Sequence, residues 1–177
     1  MKVNEKFEEG NRAAKKMLYA LLILIVPILI LSGLYIINPS SYVFYAIYDS
    51  TKNLPAILSQ NNLLLSKSMD IYTKTAPLMA FFVFLLTYKK LCLRNDVSFL
   101  KITFLFLLFT IIEIIIIYVF LFTNTELTTS SKLFRLMSEN NLFLLFFYIS
   151  LYAGIYIFSY LYLWFCVGTF RAFKERQ

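Results

Sequence analysis

The sequence predicts an all-α fold, an integral membrane four-helix bundle with short interfacial helices on its outer side, and three observations carry that prediction. The chain contains four long apolar stretches. It is 60% hydrophobic and 19% aromatic, with 4 glycines in 177 residues. Its Lys and Arg residues are shared very unequally among the segments that join the stretches. Such a composition is too apolar for a soluble domain of this length.

Each span follows from helix length. Residues 17–37 and 102–122 each reach roughly 30 Å at about 1.5 Å per residue, the thickness of a bilayer's hydrocarbon core. Residues 142–167 run longer and carry no charge. The second span is harder to delimit, because its uninterrupted apolar run, 75–88, reaches only about 21 Å as helix and contains Pro77. It is therefore expected to occupy 70–90 and to take Lys74 with it. Residues 1–16 are expected to remain as a cytoplasmic tail. The apolar run that follows them is about twice a typical signal-peptide core and lacks a small-residue cleavage site, and Glu5, Glu8 and Glu9 argue against a transit peptide.

Orientation follows from the basic residues. Twelve of the 17 Lys and Arg lie in the amino-terminal tail (Lys2, Lys6, Arg12, Lys15, Lys16), the turn between spans two and three (Lys89, Lys90, Arg94, Lys101) and the carboxyl end (Arg171, Lys174, Arg176). Lys52, Lys67, Lys74, Lys132 and Arg135 fall on the other side. Both termini are predicted cytoplasmic. The formal net charge of +7 then reflects this bias and attraction to anionic lipid headgroups, and implies no nucleic-acid partner.

The outward segments carry structure of their own. Asn38-Pro39-Ser40-Ser41 reads as a helix start, and the tyrosine-rich residues 42–48 are too short to span, which suits a helix lying in the interface. A turn at Asn53-Leu54-Pro55 ends it. Further on, Thr128-Thr129-Ser130-Ser131 can cap a second short helix with Leu133, Phe134, Leu136 and Met137 on one side and Lys132, Arg135 and Glu139 on the other. These pieces either seal the outer end of the bundle or bind a partner.

Catalysis is argued against by residue type. The chain has no histidine, no Gly-rich phosphate loop and no GxSxG. Cys92 and Cys166 are isolated and read as packing residues, so neither a metal nor a cofactor is expected. Two intramembrane features remain. Glu113 sits near the middle of span three, where an ionisable group is costly and marks a functional candidate. It is either a proton or substrate site or a neutral carboxyl group bonded to Thr110 or to the Ile23 carbonyl, which Pro27 leaves without its helical donor. Tyr148, Tyr152, Tyr156 and Tyr160 form a row on span four, beside the small pair Ser150 and Gly154. That row either packs within the chain or docks a foreign helix.

Several short runs resemble a known family. They are Asn53-Leu54-Pro55, Met69-Asp70-Ile71-Tyr72 with Lys74-Thr75-Ala76-Pro77, Glu126-Leu127-Thr128-Thr129, Arg135-Leu136-Met137 and the terminal Arg176-Gln177. In order and spacing, from about Asn11 to the last residue, they resemble the immunity proteins of pore-forming colicins, the colicin A type. The resemblance implies a four-span inner-membrane protein of enteric bacteria with cytoplasmic termini and a periplasmic outer side. It also implies a partner, the pore-forming domain of a cognate colicin, bound in the membrane before its channel opens. On that reading Asp70, Lys74, Pro77, Glu113, Glu126, Thr128, Thr129, Arg135, Tyr152 and Tyr156 are the candidates for toxin binding or for structure. Asp70 and Lys74, one helical turn apart, are expected to pair at the exposed outer entrance of span two. The alternative from another class is a small proton-coupled transporter using Glu113.

Overall fold

The computed structural model describes residues 2–88 and 99–174. Cys92, the basic residues Lys89, Lys90 and Arg94, and the terminal Arg176-Gln177 lie outside the described residues. In chain order the elements are α1 (Lys2–Ile37), α2 (Tyr42–Thr51), β1 (Ile57–Leu58), a 3-10 turn (Gln60–Asn62), α3 (Leu63–Thr73), α4 (Ala76–Thr87) and α5 (Phe99–Ile117). A wider π turn (Tyr118–Phe122), β2 (Thr125–Glu126), α6 (Lys132–Glu139) and α7 (Asn141–Lys174) complete the chain. The fold is mostly helical. Four segments are long and apolar enough to cross a membrane: Gly10–Ile37, Gln60–Thr87, Leu100–Phe122 and Asn141–Arg171.

The second of these begins well before Asp70. Its first half, α3, is rich in Ser, Lys and Asp, so an apolar-run criterion stops short of it. The helix nevertheless forms there because each polar side chain finds a partner. Ser68 and Thr73, for instance, donate back to the Leu64 and Met69 carbonyls at 2.9 and 2.8 Å. The segment then breaks at Lys74–Thr75, and Pro77 enters in the first turn of α4, where its missing N–H costs nothing. Thr75 serves the break: its N–H and its hydroxyl both donate to the Tyr72 carbonyl, at 2.9 and 2.7 Å. In α1, Pro27 is accommodated inside one continuous helix. Tyr72 reaches that region from α3, its hydroxyl donating to the Leu24 carbonyl at 2.8 Å.

α7 is the hub. It packs against α1, α3, α4, α5 and α6, whereas the long helix that α5 packs against is α7. The tyrosine row explains why. Tyr148, Tyr152, Tyr156 and Tyr160 are all buried, so the row faces inward rather than toward a foreign helix. Their hydroxyls tie separate elements together: Tyr148 donates to the Ile57 carbonyl at 2.6 Å, Tyr156 to the Met17 carbonyl at 3.2 Å, and Tyr160 shares a 2.8 Å bond with Thr87. Tyr152 instead stacks flat on Tyr72, with ring centroids 5.3 Å apart. Apolar side chains gain nothing by leaving lipid for one another, so such hydrogen bonds and close ring packing are what a bundle in a membrane has to use. At the small pair no neighbour approaches closely on the Gly154 side among the described residues, since a Cβ built there meets nothing within 4 Å.

The two short helices sit at one end of the bundle. α2 packs on α3, with Phe44 buried and meeting Tyr35 edge to face at 5.3 Å. α6 packs on α7 and on the 3-10 turn, where Phe134 meets Phe147. Ser41 and Ser131 are their N-cap residues, neither making a side-chain capping bond.

Candidate functional site

Between α2 and α6 the chain builds a small polar cap from segments far apart in sequence. β1 and β2, two residues each, pair in parallel with Ile57 opposite Thr125 and Leu58 opposite Glu126. The Thr125 N–H donates to the Ala56 carbonyl at 3.1 Å and the Leu127 N–H to the Leu58 carbonyl at 2.8 Å. Asn124 extends the pairing by accepting the Ala56 N–H at 2.9 Å. So short a sheet cannot hold itself. Side chains of the helices beneath satisfy its remaining edge.

Asp70 is the centre of that support. One carboxylate oxygen accepts the Ile57 N–H at 3.1 Å and the other lies 2.8 Å from the Lys74 ammonium. Lys74 also donates to the Pro55 carbonyl, and Lys67 donates to the Leu54 carbonyl at 2.8 Å. Two lysines from one face of a broken helix therefore hold the Leu54-Pro55 turn, with Asp70 between them and Tyr148 closing the far side on Ile57. Asp70 is 1% exposed, while the Lys74 side chain is 17% exposed. The carboxylate of the pair is thus buried and its lysine half-buried, where the sequence suggested an exposed pair. The loop that Lys74 anchors folds back over it, a contact between residues 19 apart in sequence. Removing Lys74 leaves Asp70 as a buried charge without its ion pair, at a cost that approaches the roughly 3–5 kcal/mol of a broken buried pair, where an exposed pair would cost less than about 1 kcal/mol.

Glu126 organises the second loop. A single carboxylate oxygen accepts the Gln60 N–H and the Thr128 N–H, each at 3.1 Å, and the Thr128 hydroxyl at 2.7 Å. Thr129 and Ser130 donate their hydroxyls to the Glu126 carbonyl. Ser59 and Asn61 both reach the Ser138 carbonyl, at 3.2 and 3.4 Å, which ties the cap to α6.

The sequence candidates now separate. Asp70, Lys74, Glu126 and Thr128 meet in the cap. Thr129 and Arg135 lie exposed on its surface. Tyr152 and Tyr156 are buried in the α7 seam, and Pro77 opens α4. Lys67, Asn124, Ser59, Ser66, Ser138 and Tyr148 belong to the same network and were not singled out for it. A lysine in a serine-rich stretch reads as solvated surface until a loop carbonyl above it is known. Asn124 gave no signal beyond being a loop residue.

Glu113 lies apart, between α5 and α7, and is 3% exposed. Its partner is the Ser159 hydroxyl, which donates to one carboxyl oxygen at 2.7 Å. Thr110 is occupied elsewhere, donating to the Phe106 carbonyl at 2.8 Å. The expected partners, Thr110 and the Ile23 carbonyl of α1, are therefore replaced, because α5 turns this face to α7. The second carboxyl oxygen is buried without a hydrogen bond.

Among the described residues no group of His, Cys, Asp and Glu could hold a metal ion. The architecture defines a class: a helical protein with four candidate membrane spans, organised on one central helix and closed at one end by a hydrogen-bonded cap. Comparison with known proteins narrows it. The profile of the colicin immunity protein family matches residues 40–177. The chain is 38% identical over 171 residues to the colicin-A immunity protein of Citrobacter freundii, covering 96% of each chain. It is 33% identical over 171 residues to the colicin-B immunity protein of Escherichia coli, covering 96% of this chain and 98% of that one. Against the colicin-N immunity protein of Escherichia coli the identity is 42% over 106 residues, 59% of this chain and 81% of the relative. No solved structure matches. The chain belongs to the colicin immunity protein family, a family of non-enzymatic proteins.

Proposed function

We propose that the chain protects the cell that carries it from a pore-forming colicin, by binding the toxin's pore-forming domain in the inner membrane and disfavouring the open channel. The match to immunity proteins against colicins A and B along almost the whole chain carries this reading. The task requires complementarity rather than chemistry. Moving a two-state equilibrium from mostly open to mostly closed takes about 5.5 kcal/mol of differential affinity, within reach of helix packing and a few intramembrane hydrogen bonds.

On this reading the cap faces the periplasm, α2 and α6 lie in the outer interface, and both termini are cytoplasmic, as the bias of Lys and Arg supports. Exposed Tyr42, Tyr45, Leu133 and Leu136 suit contact with lipid at that depth. Asp70, Lys74, Glu126 and Thr128 shape the surface that a periplasmic toxin meets, while Thr129 and Arg135 are available to touch it. Discrimination among toxins then rests on side-chain fit and mismatched polar groups.

The test is a killing assay. Sensitive cells expressing the chain are challenged with a panel of pore-forming colicins and, as a control, a nuclease colicin. Protection should extend to at least one pore former and not to the nuclease. A chain at normal membrane levels that protects against none would sink the reading. For orientation, a reporter active only in the periplasm should work when fused after Ser131 and fail after Gln177.

A further inference from the structure

The seam between α5 and α7 is polar on one side of Glu113 and apolar on the other. Toward the end where α5 begins and α7 finishes, Ser159, Tyr162, Cys166 and Thr169 recur along α7 at intervals of three and four residues, one face of a helix. Opposite them α5 carries Thr110. Tyr162 lies near enough to Thr110 and to Cys166 to interact with both, and the buried Thr169 hydroxyl has no hydrogen-bond partner among the described residues. Toward the cap, Ile116 and Phe120 of one side and Leu151 and Ile155 of the other pack in the core, while Tyr148, Tyr152 and Tyr156 of α7 turn to β1, α3 and α1.

Glu113 stands where the two halves meet, and its own hydrogen bonding is incomplete. Ionised, it would be a buried carboxylate with one hydrogen bond from Ser159. Protonated, it can donate to Ser159 through the oxygen that otherwise accepts, and the other oxygen is still unpaired. The hydrogen bonding around Glu113 therefore locks neither protonation state. The titratable groups facing it from α7 are Tyr162 and Cys166. On its own helix Lys101 is about 18 Å away along the axis. No ion pair to Glu113 is found among the described residues to fix the charged form.

We infer that Glu113 is a proton-exchanging site, in contact with the solution at the end of the bundle where α5 begins, through the hydroxyls and thiol of this seam. The ligand is the proton. Proton exchange at one end is not transport, since Ile116, Phe120, Leu151 and Ile155 on the cap side are apolar.

The test is infrared spectroscopy of the full chain in lipid vesicles. The wild type should show, at the higher frequency of a buried, weakly hydrogen-bonded group and apart from the absorption of the exposed carboxyl groups, a protonated-carboxyl band that grows as pH falls. Glu113→Gln should remove it, and Glu113→Asp, which retains a carboxyl group, should shift it, so the assignment does not depend on one variant folding. Asp70→Asn separates the other buried carboxyl group. With vesicles sorted by protease access to the carboxyl terminus, the band should follow pH on the side where α5 begins. Thr110→Val and Tyr162→Phe should slow its hydrogen–deuterium exchange severalfold. A band that ignores pH, that survives in Glu113→Gln, or that follows pH on the cap side would overturn the inference.

Discussion

α5 and α7 are both candidate membrane spans, yet 44% of the most apolar window of α7 is buried inside the protein and only 6% of that of α5. Apolarity runs the opposite way. α5 is almost unbroken Leu, Ile and Phe, while α7 carries a tyrosine at every fourth position from 148 to 160. In water the more apolar helix would be the buried one. In lipid, hydrophobicity gives no preference for a protein neighbour over an acyl chain, and burial follows residues that can hydrogen-bond or stack across helices. Even α5 obeys this rule: Glu113 is among the few groups by which it engages its neighbour through a hydrogen bond.

The comparison can be broken with single substitutions. The largest effect is expected at Tyr156, which fills the centre of the seam and bonds the Met17 carbonyl. Tyr156→Ala should destabilise the bundle by about 2–4 kcal/mol through the void left behind, read as a lowered unfolding midpoint in detergent. Tyr148→Phe tests the hydrogen bond alone. It leaves the ring and strands the Ile57 carbonyl, and should cost about 1 kcal/mol. At the small end, Phe104→Ala on the exposed side of α5 removes an equally large side chain and should change stability by less than about 0.5 kcal/mol. Equal losses at Tyr156 and Phe104 would show that apolar area, not the tyrosine seam, governs packing.

Much of this was legible in the sequence. Apolar length suffices to mark four candidate spans, because a bilayer fixes how long a helix must be. The spacing of the tyrosines marked one face of α7 but could not say what it faced, since inward packing and docking require the same periodicity. Pro77, which interrupts the apolar run of the second span, lies just past the break between its two helices. The true start of that span was hidden, because α3 keeps Lys67, Ser68 and Asp70 in a helix only with partners supplied by residues 54–59. Glu113 was conspicuous by its charge, while Ser159, 46 positions away, was not. Contacts across long sequence separation leave no local pattern. Sequence could not reveal that several of the runs resembling the colicin A type family meet in space: Asn53-Leu54-Pro55, Asp70 with Lys74, and Glu126 with Thr128 are parts of one cap.

We propose that Asp70 and Lys74 act in protection by holding that cap, not by touching toxin. A double-mutant cycle on Asp70→Asn and Lys74→Met, scoring folded protein in the membrane and protection against the cognate colicin in the same cells, tests it most directly. Each single change should lower both readouts together, and the double variant should lose clearly less than the singles combined, with a coupling of about 1–3 kcal/mol in detergent unfolding. Single variants that stay folded at wild-type levels yet lose protection would contradict the account and place these side chains in the toxin interface.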